Sequence, residues 1–276
     1  MTLRLQNSAH LKNMHLNLNV HFDKVARQME QISSGQRVNR SSDDAASVGS
    51  ADGLQAEMRV LSQGSRSIQQ SHNLLQIADT ALAEISQMLQ RMKALAIQSS
   101  SSTINDDQRQ ATNSEFQQLK NEMTRMAEST EYNGLSLLTS DTQDIILPAG
   151  PSGTSNDLVE FNLGDMRASG STIQLDGVSV DVQNSSIKAL DIIDQAIEKI
   201  IQVRSQLGAL QNRFELSVDA TNSFLERVQG IESSIRDADI AQAVSHMTRS
   251  QIMSQTATSL AKEADVDIEG LLSLLR

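Results

Sequence analysis

The chain has 276 residues, a formal net charge of −11, no cysteine and no tryptophan, and only 2% of its residues are aromatic. The absence of Cys excludes disulfides, thiolate catalysis and Cys-ligated metals, and the acidic balance argues against a phosphate-binding surface for nucleic acid. No apolar run approaches the roughly 18 residues of a membrane span, and the opening residues form neither an apolar h-region nor a small-residue cleavage site, so no secretory signal peptide is expected.

The first segment places Leu11, Met14, Leu18, Phe22, Val25, Met29 and Ile32 at three- and four-residue spacing, the stripe of an amphipathic helix. Leu16 and Val20 widen it. Residues 1–42 carry six basic and two acidic side chains, a net of +4. Ser33-Ser34-Gly35 and the cluster Asn39 to Asp44 predict a break, with a second helix starting near Asp43. That helix repeats the stripe through Leu54, Met58, Leu61, Ile68, Leu75, Ala78, Leu82, Ile85, Leu89, Met92 and Ala96. Asn105 with Gln108 three residues later is a capping box, and Asp106-Asp107 suit the positive end of a helix. The third helix carries Phe116, Leu119, Met123 and Met126 and is expected to stop near Tyr132-Asn133-Gly134.

The centre differs. Both prolines, Pro148 and Pro151, lie there. Short β-type runs appear at 144–147, 158–163, 172–175 and 178–182, and Asp176-Gly177 predicts a tight hairpin between the last two. From Ile187 to Ile235 apolar residues again recur every three or four positions, broken only by Thr221. A helix of that length measures roughly 70 Å and needs other long helices beside it. Arg236 to Asp239 predicts a break. The last segment carries Ile240, Val244, Met247, Ile252 and Leu260 and ends on Leu271-Leu272-Ser273-Leu274-Leu275-Arg276. Residues 237–276 hold three basic and six acidic side chains, a net of −3. Pairing the two oppositely charged ends is expected to bury both stripes.

Catalytic, cofactor and metal signals are absent. The five histidines, His10, His15, His21, His72 and His246, form no i,i+4 pair, and no H-E-x-x-H, G-x-S-x-G, Walker loop or dinucleotide fingerprint occurs. The N-terminal stripe lacks Trp and its polar face is only mildly basic, so helix pairing is favoured over membrane insertion.

Several motifs in order then carry a resemblance. They are Ile32-Ser33-Ser34-Gly35-Gln36-Arg37-Val38-Asn39 followed by Asp43-Asp44-Ala45-Ala46, then Asn73 to Asp79, Leu89 to Ser99 and Tyr132-Asn133-Gly134. Near the other end come Leu207-Gly208-Ala209-Leu210-Gln211-Asn212-Arg213-Phe214-Glu215, Ile235-Arg236-Asp237-Ala238-Asp239-Ile240 and Leu272 to Arg276. The chain resembles bacterial flagellin over residues 1–138 and 187–276. The first dozen residues, including Arg4, His10 and Lys12, depart from the commoner flagellin opening.

The resemblance implies a mainly α fold: a long antiparallel, coiled-coil helical bundle of the flagellin D0/D1 type, with a small central β-hairpin region. Residues 1–42 and 237–276 would be the N- and C-terminal D0 helices of an inner tube. Residues 43–138, with a connecting loop from about 33, would be the N-terminal D1 helices. Residues 139–186 would be the short central β region and 187–236 the C-terminal D1 helix. The large outer domains of longer flagellins would be missing. The implied function is a structural subunit, not an enzyme, that polymerises with itself into an extracellular motility filament. By the same resemblance its partners are the flagellar export apparatus, an export chaperone and the filament cap, with no nucleic acid and no membrane insertion. Subunit contacts are expected at Leu11, Leu18, Phe22, Val25, Met29, Ile32, Ile240, Val244, Met247, Leu260, Leu271, Leu274 and Leu275. Arg91, Leu95 and Glu115 match the surface recognised by Toll-like receptor 5.

The runner-up reading is a hook–filament junction protein of the same family. An enzyme carried on a filament is disfavoured by the short centre and the missing H-E-x-x-H, and a cytoplasmic helical adaptor would be told apart by cell fractionation. If the terminal stripes are meant for other subunits, they fold fully only on assembly. Limited proteolysis is then expected to trim both ends of the monomer and to spare them in polymer; equal resistance in the monomer would count against it.

Overall fold

The computed structural model describes residues 2–139, 144–151 and 153–274. For 2–11, 156, 261 and 263–274 it describes the backbone alone. Five helices dominate: α1 (Thr2–Ser34), α2 (Ala45–Ser100), α3 (Asp106–Ser129), α4 (Gln183–Arg236) and α5 (Ile240–Leu274). Four short strands, β1 (Glu131–Tyr132), β2 (Leu135–Ser136), β3 (Ile145–Pro148) and β4 (Leu158–Phe161), lie between α3 and α4. The chain divides into two compact units, residues 59–225 and residues 1–58 with 226–276, and the division falls inside α2 and α4.

In the larger unit, Leu61, Ile68, Leu75, Leu82, Leu89 and Ala96 of α2 recur every seven residues and are all buried. Ile193, Ile200, Leu207 and Phe214 of α4 do the same. A seven-residue repeat on two helices is the seam of a coiled coil. Three polar contacts pin its register. The Ser65 hydroxyl donates to Asn222 Oδ1 at 3.0 Å, Arg204 pairs with Asp79 at 2.8 Å, and Lys93 pairs with Asp194. Positions rise along α2 as they fall along α4, so the helices are antiparallel. The Arg204 guanidinium is held above its ordinary pKa by its hydrogen bond to Asp79. Phe116, Met123 and Ala127 of α3 complete the core.

The corner between α2 and α3 is closed by one side chain. Arg109, buried on the first turn of α3, donates to the carbonyls of Ser99 (3.1 Å), Ser101 (3.2 Å) and Ile104 (3.3 Å), and pairs with Asp106 at 3.0 Å. It thereby satisfies carbonyls at and beyond the end of α2 that have no intrahelical partner. The capping box at Asn105 and Gln108 forms as the sequence predicts.

The centre departs from expectation in two places. Asn133 (φ 52°) and Gly134 (φ 77°) do not merely stop α3; they are the two central residues of a tight turn joining β1 and β2. The predicted strands at 172–175 and 178–182 do not form. The Asp176-Gly177 turn is present, with Val178 N bonded to Leu175 O at 3.2 Å, but its flanks do not pair. Ile173, Leu175, Val178 and Val180 are instead buried against the helices. Their backbone is met by side chains of α3: Asn113 Oδ1 accepts from Val180 N (3.0 Å), Gln117 Nε2 donates to Val178 O (3.1 Å), and Thr124 Oγ1 accepts from Ala168 N (3.3 Å). The segment is a strap along α3. The predicted runs near 144 and 158 do pair, as antiparallel β3 and β4, with Ile145 opposite Phe161.

In the smaller unit α1 packs against α5. The links that enter and leave this pair are themselves joined. Gln36 and Asp237 form an antiparallel bridge, Arg37 N donates to Arg236 O (2.7 Å), Ala238 N to Gly35 O (2.9 Å), and Arg37 Nη2 to Ile235 O (2.7 Å). Gly35, at φ 71°, makes the turn out of α1. Asp44 caps α2 through the amides of Ala46 and Ser47, and the Ser47 hydroxyl, followed by its amide, holds the Asp44 carboxyl below its ordinary pKa.

The glycines of α2 are not equivalent. A Cβ on Gly64 would stand 2.5 Å from Pro151 Cα, whereas one on Gly53 meets nothing within 4 Å. Gly64→Ala is expected to push the β3–β4 loop off the helix and lower the thermal midpoint by several degrees. Gly53→Ala is expected to stabilise by about 0.5–1 kcal/mol. Circular-dichroism melts of the two variants check both signs.

Candidate subunit interface

The sequence stripe of α1 splits in three dimensions. Leu18, Val25 and Ile32, seven residues apart, are half-buried, while Phe22 and Met29 stay 53% and 60% exposed. Leu16 and Val20 are also exposed. On α5 the residues turned inward are mostly small: Ala243 and Ser254 are buried, and Met247, Ser250 and Ala257 are half-buried. Its larger aliphatics, Ile240, Val244, Ile252 and Leu260, are exposed. The pairing expected to bury both stripes therefore buries part of one and a small-residue face of the other. Small residues let two helices approach closely, and that leaves the large side chains outside. Large apolar side chains left exposed on both members of a helix pair mark an interaction surface. Of the remaining predicted interface residues, Leu275 lies outside the described residues, and the side chains of Leu11, Leu271 and Leu274 lie outside those described.

Sequence reading missed a second feature of the same helix pair. A cavity of about 440 Å³ opens between α1 and α5, lined by His21, Lys24 and Arg27 from one helix and His246 and Arg249 from the other. Two atoms at its wall, His21 Nδ1 and Gln28 Oε1, are buried without a hydrogen-bond partner. An orphaned buried polar atom costs about 1–3 kcal/mol. The signal was available: basic residues three apart on each of two helices already expected to pair.

The predicted receptor contacts lie in the larger unit. Arg91 on α2 and Glu115 on α3 are brought together in a bidentate donation at 2.6 and 2.8 Å, and both are exposed. Leu95 is 2% exposed, part of the core. Among the described residues no three metal-ligating side chains converge, and no helix is long and apolar enough to cross a membrane.

Comparison with known proteins bears on this helical plan. Residues 6–143 match the family model for the bacterial flagellin N-terminal helical region, and residues 190–275 match that for the C-terminal helical region. The chain belongs to the flagellin family. It is 34% identical over 264 residues to a flagellin of Halalkalibacterium halodurans, covering 96% of each chain. A crystal structure of Bacillus cereus flagellin superposes with a TM-score of 0.51 at 27% identity, over 56% of this chain and 88% of that one. A putative flagellar hook-associated protein from Vibrio parahaemolyticus superposes with a TM-score of 0.61 over 71% of this chain and 100% of that one, but at 14% identity, which speaks for the fold alone. Flagellins are structural filament proteins and not enzymes, so the exposed face of α1 and α5 belongs to a molecule whose family polymerises. The filament they build lies outside the cell.

The Arg91–Glu115 pair is solvent-screened, and such pairs contribute about 0.2–1 kcal/mol. A double-mutant cycle on Arg91→Ala and Glu115→Ala is expected to give a coupling of less than about 1 kcal/mol. Urea unfolding measures it; a larger value would make the pair a structural element and not a surface feature.

Proposed function

We propose that this chain is the bulk subunit of a hollow motility filament, with residues 1–42 and 237–276 forming the inner tube and 43–236 the outer shell. The observation that carries this reading is the apolar surface left on α1 and α5 after they have paired with each other. Each large side chain now half exposed would contribute about 1 kcal/mol on full burial. Further copies packed around the pair would collect that energy from both helices at once. In this reading the chain leaves the cell unfolded through the flagellar export channel. An export chaperone covers the terminal helices on the way, and a filament cap directs their folding at the tip.

The junction-protein reading uses the same fold. The 34% identity to a flagellin across nearly the whole chain favours the bulk subunit, and copy number in purified filaments separates the two. A host's Toll-like receptor 5 would meet the exposed Arg91–Glu115 pair, with Leu95 acting from the core to hold α2 in place.

Phe22 and Met29 are more than half exposed, so Phe22→Asp with Met29→Asp is expected to leave the monomer's melting temperature nearly unchanged and to abolish assembly. Electron microscopy after seeding is expected to show long tubes for the unaltered chain and none for the variant. Tubes from the variant at the same concentration would sink the reading.

A further inference from the structure

The cavity between α1 and α5 has a chemistry that the apolar surface around it does not explain. His21, Lys24, Arg27, His246 and Arg249 line it, and among the described residues no acidic side chain does. Lys24, Arg27 and Arg249 have no ion-pair partner among the described residues. Like charges gathered in one recess repel, and an opposite charge placed there is attracted more strongly than one on an open surface.

The chain carries a matching group of charges. Glu263, Asp265, Asp267 and Glu269 put four acids within seven residues of α5. Their place on α5 lies beyond the cavity of their own subunit. Helix α5 is unbroken from Ile240 to Leu274, so Glu263 stands 14 residues beyond Arg249 (263 − 249), roughly 20 Å along the axis. Only another copy, displaced along the helix direction, can bring this segment to the recess.

We propose that the cationic recess of one subunit receives the acidic segment Glu263–Glu269 of α5 from a neighbouring copy. The two patches differ and lie on the same chain, so copies displaced in one direction along the helix axis meet heterologously; repeated, such a contact generates a ring or an open helix. The apolar faces supply the strength of assembly and this ionic contact sets its register. The inference rests on the filament reading and deepens it by naming which surface meets which.

Because the chain has no cysteine, the contact can be trapped directly. One preparation carries Ser250→Cys at the recess and another Val266→Cys within the acidic segment. They are mixed, assembled and treated with a short bis-maleimide, and a covalent dimer containing both variants is expected. In parallel, Arg27→Glu with Arg249→Glu is expected to raise the critical concentration for assembly at least about tenfold, the equivalent of one ion-pair contact of about 1.4 kcal/mol. Adding Glu263→Lys and Asp267→Lys to the same chain is expected to restore it, which repair of a folding defect would not do. If the unaltered chain forms tubes but the mixed dimer is absent and the charge swap fails to rescue, this contact is wrong and the filament reading stands. If Arg27→Glu with Arg249→Glu assembles at the unaltered concentration, the contact is likewise overturned. If the unaltered chain forms no polymer under any seeding condition, both fall.

Discussion

Ile68, Leu75, Leu82 and Leu89 of α2 meet Ile193, Ile200, Leu207 and Phe214 of α4 along a seam that repeats every seven residues. A straight helix repeats every 3.6 residues, so holding a 3.5 rhythm keeps the same face toward the partner for many turns. The other parts of the larger unit are laid against this seam. Helix α3 has only 24 residues and a polar majority, and its Phe116 and Met123 are buried because α2 and α4 already offer an apolar groove. The strap from Met166 to Val180 lies on α3 in turn. Remove the seam and neither has a surface to pack on.

The smaller unit solves a different problem with similar residues. Ala243, Ser250, Ser254 and Ala257 are the inward residues of α5, and being small they bury little apolar area. The aliphatics that would make this pair self-sufficient face outward. Such a pair buries little of its large apolar surface on its own and leaves it for copies of itself. The paired links at Gly35–Arg37 and Arg236–Ala238 give it a fixed base.

How far the sequence reveals this depends on the kind of force involved. Periodic burial is local in sequence, so the helices, the capping box at Asn105 and the break at Arg236–Asp239 are legible. The hairpin at Asp176-Gly177 is misread because alternation records only that every other side chain is buried. It does not say whether a second strand or a helix supplies the hydrogen bonds. Asn113, Gln117 and Thr124, spaced along one side of α3, are the clue that a helix does so here. At the interface, the stripe of α1 shows which residues are apolar but not which are shared with α5. Phe22 and Val25 are equal members of it, and only packing sends one outward and the other inward. The basic recess is spread over two segments more than two hundred residues apart and is assembled only by the pairing.

The bridge between Gln36 and Asp237 also places a condition on time. Synthesis makes α1 before its partner α5, with about 200 residues between them. At the usual pace of translation that interval is on the order of 10–40 s. Throughout it α1 has no intramolecular partner, and the link at Gly35 has no opposite strand to bond. The nascent chain therefore cannot commit to its assembling form early, and a product cut short before Ile240 never acquires the helix that would let it join. Placing the two halves of the contact on either side of the larger unit makes synthesis of that whole unit the condition for incorporation.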